Sequence, residues 1–272
     1  MANSDLVIFQ DHIRRWNLIP DGNPIHTHSS DLLPVRFDGQ EAMLKIARAE
    51  DERLGRVLLE WWDGAGAARV LRSDECALLL ERASGPRSLL EMVGLGEDDE
   101  ASEIICAVAA QLHAPRNKPP PLLIPLTDWF SALPPAAERH GGILRISEKI
   151  AQYLLNDPHD IRVLHGDLHH GNVLDTGYRG WVAIDPKRLV GERGYDFANI
   201  FCNPDQAVAT SPGRLKRQVD IVARAAKLDR TRLLQWIAAY AGLSAAWTLD
   251  DGDDASLALA VASLAIDELQ FR

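Results

Sequence analysis

The first third of the chain carries short apolar runs separated by polar turns, a pattern that predicts β-strands. One run covers residues 42–47 and contains a single lysine, and two further runs cover residues 68–71 and 77–82. Residues 50–62 lie between these runs and place apolar side chains at 54, 57, 58 and 61, which is the spacing of one helix face. The first 82 residues are therefore predicted to form a small β-rich unit with one helix.

After this unit the pattern becomes mostly helical. Residues 83–86 contain Gly and Pro, so we expect a hinge there. Helices are predicted over residues 101–112, 126–132, 147–155, 213–226, 231–241 and 255–269, and an extended stretch over 116–125. The predicted fold class is α+β with two lobes, a β-rich N-lobe of residues 1–82 and a larger, mostly helical C-lobe of residues 83–272.

The composition is that of an ordinary globular protein. With 272 residues, of which 46% are hydrophobic, the chain is long enough for two lobes around a cleft. No stretch approaches the roughly 20 apolar residues of a membrane span, the N-terminus has no apolar signal core, and the three cysteines lack C-x-x-C spacing. We therefore expect a cytoplasmic monomer with reduced thiols and no membrane segment.

The formal net charge of -10 narrows the choice of ligand. A nucleic-acid-binding surface needs a basic stripe, which the sequence lacks, so nucleic acid is not expected as a partner. An acidic protein is compatible with a cationic substrate. Acidity that only keeps the protein soluble is the alternative explanation.

The strongest chemical signal is the segment 163–186, which reads VLHGDLHHGNVLDTGYRGWVAIDP. Asp167 and Asn172 are separated by four residues, the offset of the catalytic loop H-R-D-x-x-x-x-N in protein kinases. Asp185 follows an apolar, strand-like run. In phosphoryl transfer, Asp167 would orient and deprotonate the acceptor hydroxyl, while Asn172 and Asp185 would bind a magnesium ion. His165 is expected to brace the loop by hydrogen bonding.

Two other interpretations of this segment remain open. His165, Asp167, His169 and His170 could form a zinc cluster in a metal hydrolase. That interpretation gives Asn172 no role. The segment could also be a solvated loop whose polar side chains only cap the neighbouring elements.

Lys45 matches the strand lysine of kinases, which pairs with the α- and β-phosphates of ATP and is held by a glutamate from the following helix. Glu52 and Glu60 both lie on that predicted helix. A lysine can instead extend from an edge strand into solvent, and the helix dipole alone favours a glutamate near a helix start. Backbone groups from Glu81 to Ala83 lie where the adenine edge of ATP could bind.

In these residues the chain resembles the aminoglycoside phosphotransferases. Within them it is similar to the streptomycin 6-kinases, also grouped as aminoglycoside/hydroxyurea antibiotic resistance kinases. The resemblance covers most of the chain. It is carried by THSS at 27–30, LPVR at 33–36, MLK at 43–45, WWDG at 61–64, GAARV at 66–70, LHAP at 112–115, LHGDLHH at 164–170, AIDP at 183–186, GE at 191–192 with Asp196 and ANIF at 198–201, and GLSAAW at 242–247.

The resemblance implies a bilobal kinase-like fold and an enzyme that uses ATP and Mg²⁺ to phosphorylate a streptomycin hydroxyl. It carries the roles given above onto Asp167, Asn172 and Asp185, and the phosphate-pairing role onto Lys45. It also selects Glu52 as the partner of that lysine. A catalytically silent ligand-binding protein of the same fold is the alternative, and the complete set of catalytic residues argues against it.

The chain departs from the protein-kinase pattern in two places. No G-x-G-x-x-G loop precedes Lys45, and residues 27–30 stand in that position, so Ser29 and Ser30 are the expected phosphate contacts. Pro186 stands where protein kinases have F-G after the metal-binding Asp. We therefore do not expect their activation switch.

Streptomycin carries guanidinium groups, so a site for it is expected to present carboxylates and aromatic faces near Asp167. The candidates are Glu192, Asp196, Trp247 and the acidic run 250–254. Asp196 has the alternative role of a buried carboxylate bonded to the catalytic-loop backbone. Trp247 could be a core residue, and the acidic run a solvated loop. Another cationic or amino-hydroxy metabolite is the alternative acceptor.

Overall fold

The structure, a computed structural model, describes residues 6–27, 29–48 and 50–270, without the side chains of residues 50–53. The strands are β1 (Ile19–Pro20), β2 (Ile25–His26), β3 (Ser30–Phe37), β4 (Gln40–Ala47), β5 (Val70–Ser73), β6 (Ala77–Glu81), β7 (Ile124–Pro125), β8 (Ile161–Leu164), β9 (Val173–Asp175), β10 (Trp181–Ala183) and β11 (Leu189–Glu192). The α-helices are α1 (Gln10–Arg15), α2 (Glu50–Trp62), α3 (Leu89–Gly94), α4 (Asp98–Leu112), α5 (Leu126–Trp129), α6 (Leu133–His140), α7 (Gly142–Asn156), α8 (Gln206–Ala209), α9 (Arg214–Ala226), α10 (Arg230–Asp250) and α11 (Ser256–Gln270). Short 3₁₀ helices cover Val7–Phe9, Phe130–Ala132 and Arg193–Cys202.

The N-terminal part of the chain is an antiparallel sheet of six strands in the order β1-β3-β4-β6-β5, with β2 also paired to β3. One face carries a buried apolar cluster made of Phe9, Trp16, Leu18, Leu33, Val35, Ala42, Leu44, Ala77 and Leu79. Because neighbouring strand residues point to opposite faces, Lys45 leaves the sheet on the other face from Leu44. That face is turned toward the rest of the chain.

Helix α2 joins the sheet to the helical part of the chain. Its residues Leu58, Leu59 and Trp62 belong to the large core that also contains the apolar residues of α4, α7 and α10. The indole Nε1 of Trp62 donates to the carbonyl of Leu112, at the end of α4, over 3.1 Å. This buried hydrogen bond holds the end of α2 next to the segment that enters the second lobe.

Helix α10 is the centre of the C-terminal part and contacts α6, α7, α9, α11 and the 3₁₀ helix Arg193–Cys202. Its apolar residues lie on all sides, as expected for a helix surrounded by others. A Cβ atom at Gly242 would lie 2.3 Å from the Cβ of Ser147, so the absence of a side chain lets α10 approach α7. This bundle forms the support on which the polar segment 163–186 rests.

Two small sheets hold that segment. In one, β11 pairs in parallel with β7 and antiparallel with β8, so that Leu189 lies opposite both Ile124 and Leu164. In the other, β9 and β10 form an antiparallel hairpin. The first sheet brings the proline-rich connection beside the start of segment 163–186, although about 40 residues separate them in sequence.

The α+β fold with a sheet followed by helices is confirmed, and α2 covers the residues predicted for it. The boundary between residues 82 and 83 remains a proposal. The helices α3 and α6 and the strand β3 were not apparent in the sequence. Strand β3 contains Pro34, which usually argues against a central strand. Pro34 lies next to the two residues of β3 that pair with β1, but outside that pairing. Its carbonyl accepts from the N–H of Asp21 over 2.9 Å, so β3 tolerates the missing N–H of Pro34.

None of the described helices is both long and apolar enough to cross a membrane.

Candidate active site

The β9–β10 hairpin brings two predicted metal ligands to the same end. Val173 pairs with Ala183. Asn172 comes just before β9, and Asp185 comes two residues after the end of β10. The N–H of Ile184 donates to the carbonyl of Asn172 over 3.0 Å, which continues the pairing beyond the strands. The hairpin register, rather than the loop alone, thus sets the distance between the two side chains.

Asp167 lies in the loop between β8 and β9, and its carboxylate is held by two amides. The Nδ2 of Asn172 donates to Oδ2 of Asp167 over 3.1 Å and to its backbone carbonyl over 2.8 Å. The Nδ2 of Asn199 donates to Oδ1 over 2.8 Å. About 30% of the Asp167 side chain stays exposed, so a substrate can still reach the carboxylate.

The nitrogen and the oxygen of the Asn172 side-chain amide therefore have different roles. Its nitrogen is engaged with Asp167, and its carbonyl oxygen remains as a hard-oxygen donor. Together with the Asp185 carboxylate it gives the amide and carboxylate oxygens that Mg²⁺ prefers. The residues present thus fit the magnesium ion that the sequence predicts.

Lys45 closes the site from the N-terminal sheet. Its Nζ donates to Oδ1 of Asp185 over 2.5 Å, and its side chain is only 5% exposed. Asp185 has a positive φ of 59°, an uncommon conformation for a residue other than glycine. A strained, well-fixed backbone at this position is typical of functional sites.

Gly55 of α2 makes the approach of the two lobes possible. A Cβ atom at this position would lie 2.4 Å from the carbonyl oxygen of Pro186, the residue after Asp185. Only glycine leaves room for this helix beside the turn that contains Asp185 and Pro186.

His165 braces the catalytic loop. Its Nε2 donates to the carbonyl of Ile184 over 2.7 Å, and its Nδ1 accepts from the N–H of Asp167 over 3.2 Å. The ring stacks on Trp62 with an interplanar angle of 12°. Burial lowers the pKa of His165, which favours the neutral ring that this pattern requires. The imidazole thus links the loop that carries Asp167 to the strand end before Asp185.

Asp196 lies beneath the same loop and is fully buried. Its carboxylate accepts from the N–H of His165 over 2.8 Å, the N–H of Gly166 over 2.7 Å and Nε2 of His113 over 2.7 Å. These bonds match the loop-supporting alternative for Asp196. They correct the expectation that this carboxylate contacts the substrate, because it faces the loop backbone.

Glu192 also needs a correction. Its carboxylate is 5% exposed and accepts from two nitrogens of Arg232 over 2.6 Å each, from Nε1 of Trp236 over 2.7 Å and from the N–H of His159 over 2.9 Å. A buried carboxylate with four donors is satisfied inside the protein. Glu192 does not line the cleft beside Asp167, so its position gives no support to a substrate contact.

The expected nucleotide contacts occupy the rim of the sheet. Oγ1 of Thr27 accepts from the N–H of Ser30 over 3.0 Å. The carbonyl of Ser29 accepts from the N–H of Arg48, and the hydroxyl of Ser30 is buried. The side chain of Glu52 lies outside the described residues.

At the predicted hinge, the carboxylate of Glu81 accepts from the backbone N–H of Arg69 over 2.8 Å, from Tyr178 Oη over 3.2 Å and from Arg179. Its own N–H donates to the carbonyl of Arg69 over 3.0 Å. Both the side chain and the N–H of Glu81 are thus engaged within the protein. Ala83 follows the end of β6 at the connection between the lobes.

A cleft of about 700 Å³ opens beside Asp167. It is lined by Ile124, Asp128, Trp129, Ser131, Gly166, Asp167, Lys187, Tyr240 and Trp247. Trp129 and Trp247 meet edge to face at 5.3 Å. Asp128 contributes an exposed carboxylate, which sequence reasoning missed. The cleft therefore combines a carboxylate and two indoles next to the predicted base.

The zinc alternative finds no matching geometry. Within residues 6–27, 29–48 and 50–270, no group of three or more His, Cys, Asp or Glu side chains is arranged to hold a metal ion. His165 is committed to the carbonyl of Ile184, and His170 is buried, 3.9 Å from Asp98. The histidines of the segment thus face different partners.

Comparison with known proteins agrees with this geometry. The profile of the family described as aminoglycoside/hydroxyurea antibiotic resistance kinase matches residues 15–252. Streptomycin 3''-kinase of Klebsiella pneumoniae is 51% identical over 245 residues, which cover 88% of this chain and 92% of that protein. Streptomycin 6-kinase of Streptomyces griseus is 32% identical over 256 residues, which cover 88% of this chain and 81% of that protein.

A solved structure shows the same fold. The aminoglycoside phosphotransferase APH(4)-Ia, crystallised as a thermostable mutant with ADP and hygromycin B, superimposes with a TM-score of 0.70 at 16% identity. The match covers 95% of this chain and 97% of that one.

Proposed function

The chain belongs to the aminoglycoside/hydroxyurea antibiotic resistance kinase family, and from this premise we propose that it phosphorylates streptomycin with ATP and Mg²⁺ and thereby confers resistance to the drug. The chain is a small-molecule kinase. The acceptor, the metal ion and the roles of individual residues are the parts that we propose.

One observation carries the proposal: hydrogen bonds link Lys45 to Asp185 and Asn172 to Asp167, and a backbone bond from Ile184 to Asn172 joins the two pairs. Lys45 bonds to Asp185 at 2.5 Å. Asp185 follows the residue whose N–H bonds to the carbonyl of Asn172. Asn172 bonds to Asp167 at 3.1 Å. An ammonium, a two-oxygen metal site and a reachable carboxylate are the parts that phosphoryl transfer requires.

Each side chain has one task in this proposal. Asn172 and Asp185 hold the metal ion through oxygen atoms. Lys45 turns its ammonium from Asp185 toward the phosphates. Asp167 accepts a hydrogen bond from the acceptor hydroxyl and takes up its proton as the phosphoryl group transfers. ATP supplies the phosphoryl group, and its Mg²⁺ neutralises the charge that develops.

The nucleotide is proposed to lie between the sheet and the hairpin. Ser29 would contact the phosphates in place of a glycine-rich loop, whereas the hydroxyl of Ser30 is buried and is not a contact in this proposal. The backbone at Ala83 would meet the adenine, and Glu52 would hold Lys45. The engaged N–H of Glu81 leaves the next residues of the hinge as the better adenine contacts.

The acceptor is proposed to bind in the 700 Å³ cleft. A guanidinium group is planar and cationic, so it can pair with a carboxylate and stack on an indole face. Asp128 offers the carboxylate and Trp247 the ring, both lining the cleft that Asp167 also lines. This arrangement favours a guanidinium-bearing acceptor such as streptomycin over an uncharged one.

We propose the 3''-hydroxyl as the position phosphorylated. The relative at 51% identity is named a 3''-kinase, whereas the relatives named 6-kinases are 32% and 31% identical. The sequence resemblance alone points to the 6-kinase group. We further propose that the protein acts as a cytoplasmic monomer.

The test is an ATP-consumption screen on the purified protein with Mg²⁺. Streptomycin, other aminoglycosides, hydroxyurea and simple amino alcohols are offered separately, and ADP formation is measured. The phosphorylated product is then examined by NMR to locate the phosphate. We expect ADP formation with streptomycin and a phosphate at the 3'' position.

The Asp167→Asn variant is the control. It should retain nucleotide binding and the folded state while losing roughly 100-fold or more of the rate. If the wild-type protein binds nucleotide but consumes none with any acceptor, it is a binding protein and the proposed activity is wrong. Phosphate at the 6-hydroxyl would overturn only the assigned position.

A further inference from the structure

Asn199 is placed against the predicted base by an element distant in sequence. It lies on the 3₁₀ helix Arg193–Cys202 and is 6% exposed. Its Nδ2 donates to Oδ1 of Asp167 over 2.8 Å. This is shorter than the 3.1 Å bond from Asn172 to the other carboxylate oxygen. The carboxylate is therefore held between two amides, one at each oxygen.

The orientation of the Asn199 amide is itself fixed. The Nδ2 of Asn203 donates to Oδ1 of Asn199 over 2.9 Å and to its backbone carbonyl over 3.0 Å. A carbonyl oxygen only accepts hydrogen bonds, so this donor requires the Asn199 nitrogen to face Asp167. A chain of two side-chain amides thus ends on one oxygen of the base.

We propose that Asn199 is a positioning residue for the Asp167 carboxylate in phosphoryl transfer, an inference that rests on the proposed function. The bond fixes the plane of the Asp167 carboxylate. The Asp167 side chain is 30% exposed and remains open to the acceptor. Holding a base in the geometry of attack lowers the barrier without changing how tightly either substrate binds.

Asn199 could instead serve only to attach its 3₁₀ helix to the catalytic loop. That role predicts a loss of thermal stability in Asn199 variants and an unchanged kcat for the enzyme that remains folded. A positioning role predicts a fall in kcat with little change in KM. Steady-state kinetics separate these two outcomes.

The first variants are Asn199→Ala and Asn199→Asp. Loss of one hydrogen bond to a charged group should lower kcat by about 10- to 100-fold, with both KM values within about threefold of wild type. In Asn199→Asp the amide donor is replaced by a carboxylate oxygen, which cannot donate a hydrogen bond to Oδ1 of Asp167. We therefore expect kcat to fall at least as far as in Asn199→Ala.

Two further variants keep the test decisive if Asn199→Asp folds poorly. Asn203→Ala removes only the donor that orients Asn199, and we expect a smaller kcat loss in the same direction. In an Asp167→Asn background, Asn199→Ala should add little to the loss, because the partner through which it acts is already changed.

Wild-type activity is measured first. No phosphorylation of any acceptor would mean that the proposed function fails. An active wild type with Asn199 variants that keep the wild-type kcat would overturn the positioning role alone. Full additivity of the losses in the Asp167→Asn background would also contradict it.

Discussion

The ammonium of Lys45 lies 2.5 Å from Oδ1 of Asp185, so the lysine proposed to pair with the phosphates directly contacts the carboxylate proposed to bind the metal ion. The two residues are 140 positions apart in sequence. In the proposed reaction both must engage the nucleotide. The contact therefore holds the Lys45 ammonium beside Asp185, and from this position we expect it to turn toward the phosphates.

Replacing Lys45 tests that role. In Lys45→Met the side chain keeps its length but loses its charge, so the phosphates lose a cation in a largely buried site. We expect kcat/KM for ATP to fall by roughly 100-fold or more, with streptomycin affinity by calorimetry close to wild type. Lys149→Met, an exposed lysine on α7, is the matched control and should be unchanged. An unaltered kcat/KM for ATP in Lys45→Met would contradict the assignment.

Gly55 offers a test of how close the lobes must be. In Gly55→Ala the added methyl group would lie 2.4 Å from the carbonyl oxygen of Pro186, so α2 or the turn that contains Asp185 and Pro186 must move. Overpacking of this kind costs about 1–3 kcal/mol of unfolding free energy. Because the turn also carries Asp185, we expect KM for magnesium ATP to rise as well.

Gly94 provides the control for this substitution. It lies at the end of α3, and no atom lies within 4 Å of a Cβ added there. Gly94→Ala should leave KM unchanged and be neutral or stabilising by up to about 1 kcal/mol. Equal effects of the two substitutions on stability and KM would show that the contact with Pro186 has no special role.

The sequence was informative where the chemistry lies close together along the chain. Asp167, Asn172 and Asp185 fall within 19 residues, and the hairpin that joins them has its own apolar pattern. Lys45 could be named because a lysine inside an apolar strand is rare without a function. To bring these four side chains together, the fold needs the short spacing along the chain and one long-range pairing, that of Lys45 with Asp185. Their catalytic roles remain predictions.

What the sequence could not show depends on contacts between distant elements. Asn199 has no motif spacing to Asp167, and only the position of its 3₁₀ helix beneath the loop brings the amide to the base. Asp128 comes near Asp167 through the pairing of β7, β11 and β8. The prediction for Glu192 was wrong for the opposite reason. This acid is close to segment 163–186 in sequence, but in the structure it faces Arg232 on α10.

Replacing Glu192 tests this corrected placement. Glu192→Ala removes the carboxylate that pairs with Arg232, whose side chain is only 12% exposed, and that accepts from Nε1 of Trp236; breaking a largely buried pair typically costs about 3–5 kcal/mol of unfolding free energy. KM for streptomycin should not change at a temperature where the variant is folded. Glu103→Ala breaks an exposed ion pair with Arg224 and should cost only about 0–1 kcal/mol. A large rise in KM for Glu192→Ala would return this residue to the substrate site.

Asp128 is the best test of the proposed acceptor cleft. In Asp128→Asn the shape of the side chain is kept and the charge is lost, so a guanidinium would lose an ion pair in a partly enclosed cleft. We expect KM for streptomycin to rise by about 10-fold, with KM for ATP unchanged. Trp247→Leu should add to the effect by removing the stacking face.

The control for Asp128 is Glu138→Gln, an exposed acid on α6 that does not line the cleft. It changes the net charge of the protein by the same amount, so it separates a local contact from general attraction between an acidic protein and a cation. General attraction would raise KM in both variants and would diminish with added salt. If Asp128→Asn has no effect on streptomycin while Asp167→Asn abolishes turnover, the acceptor must approach the base from another side of the cleft.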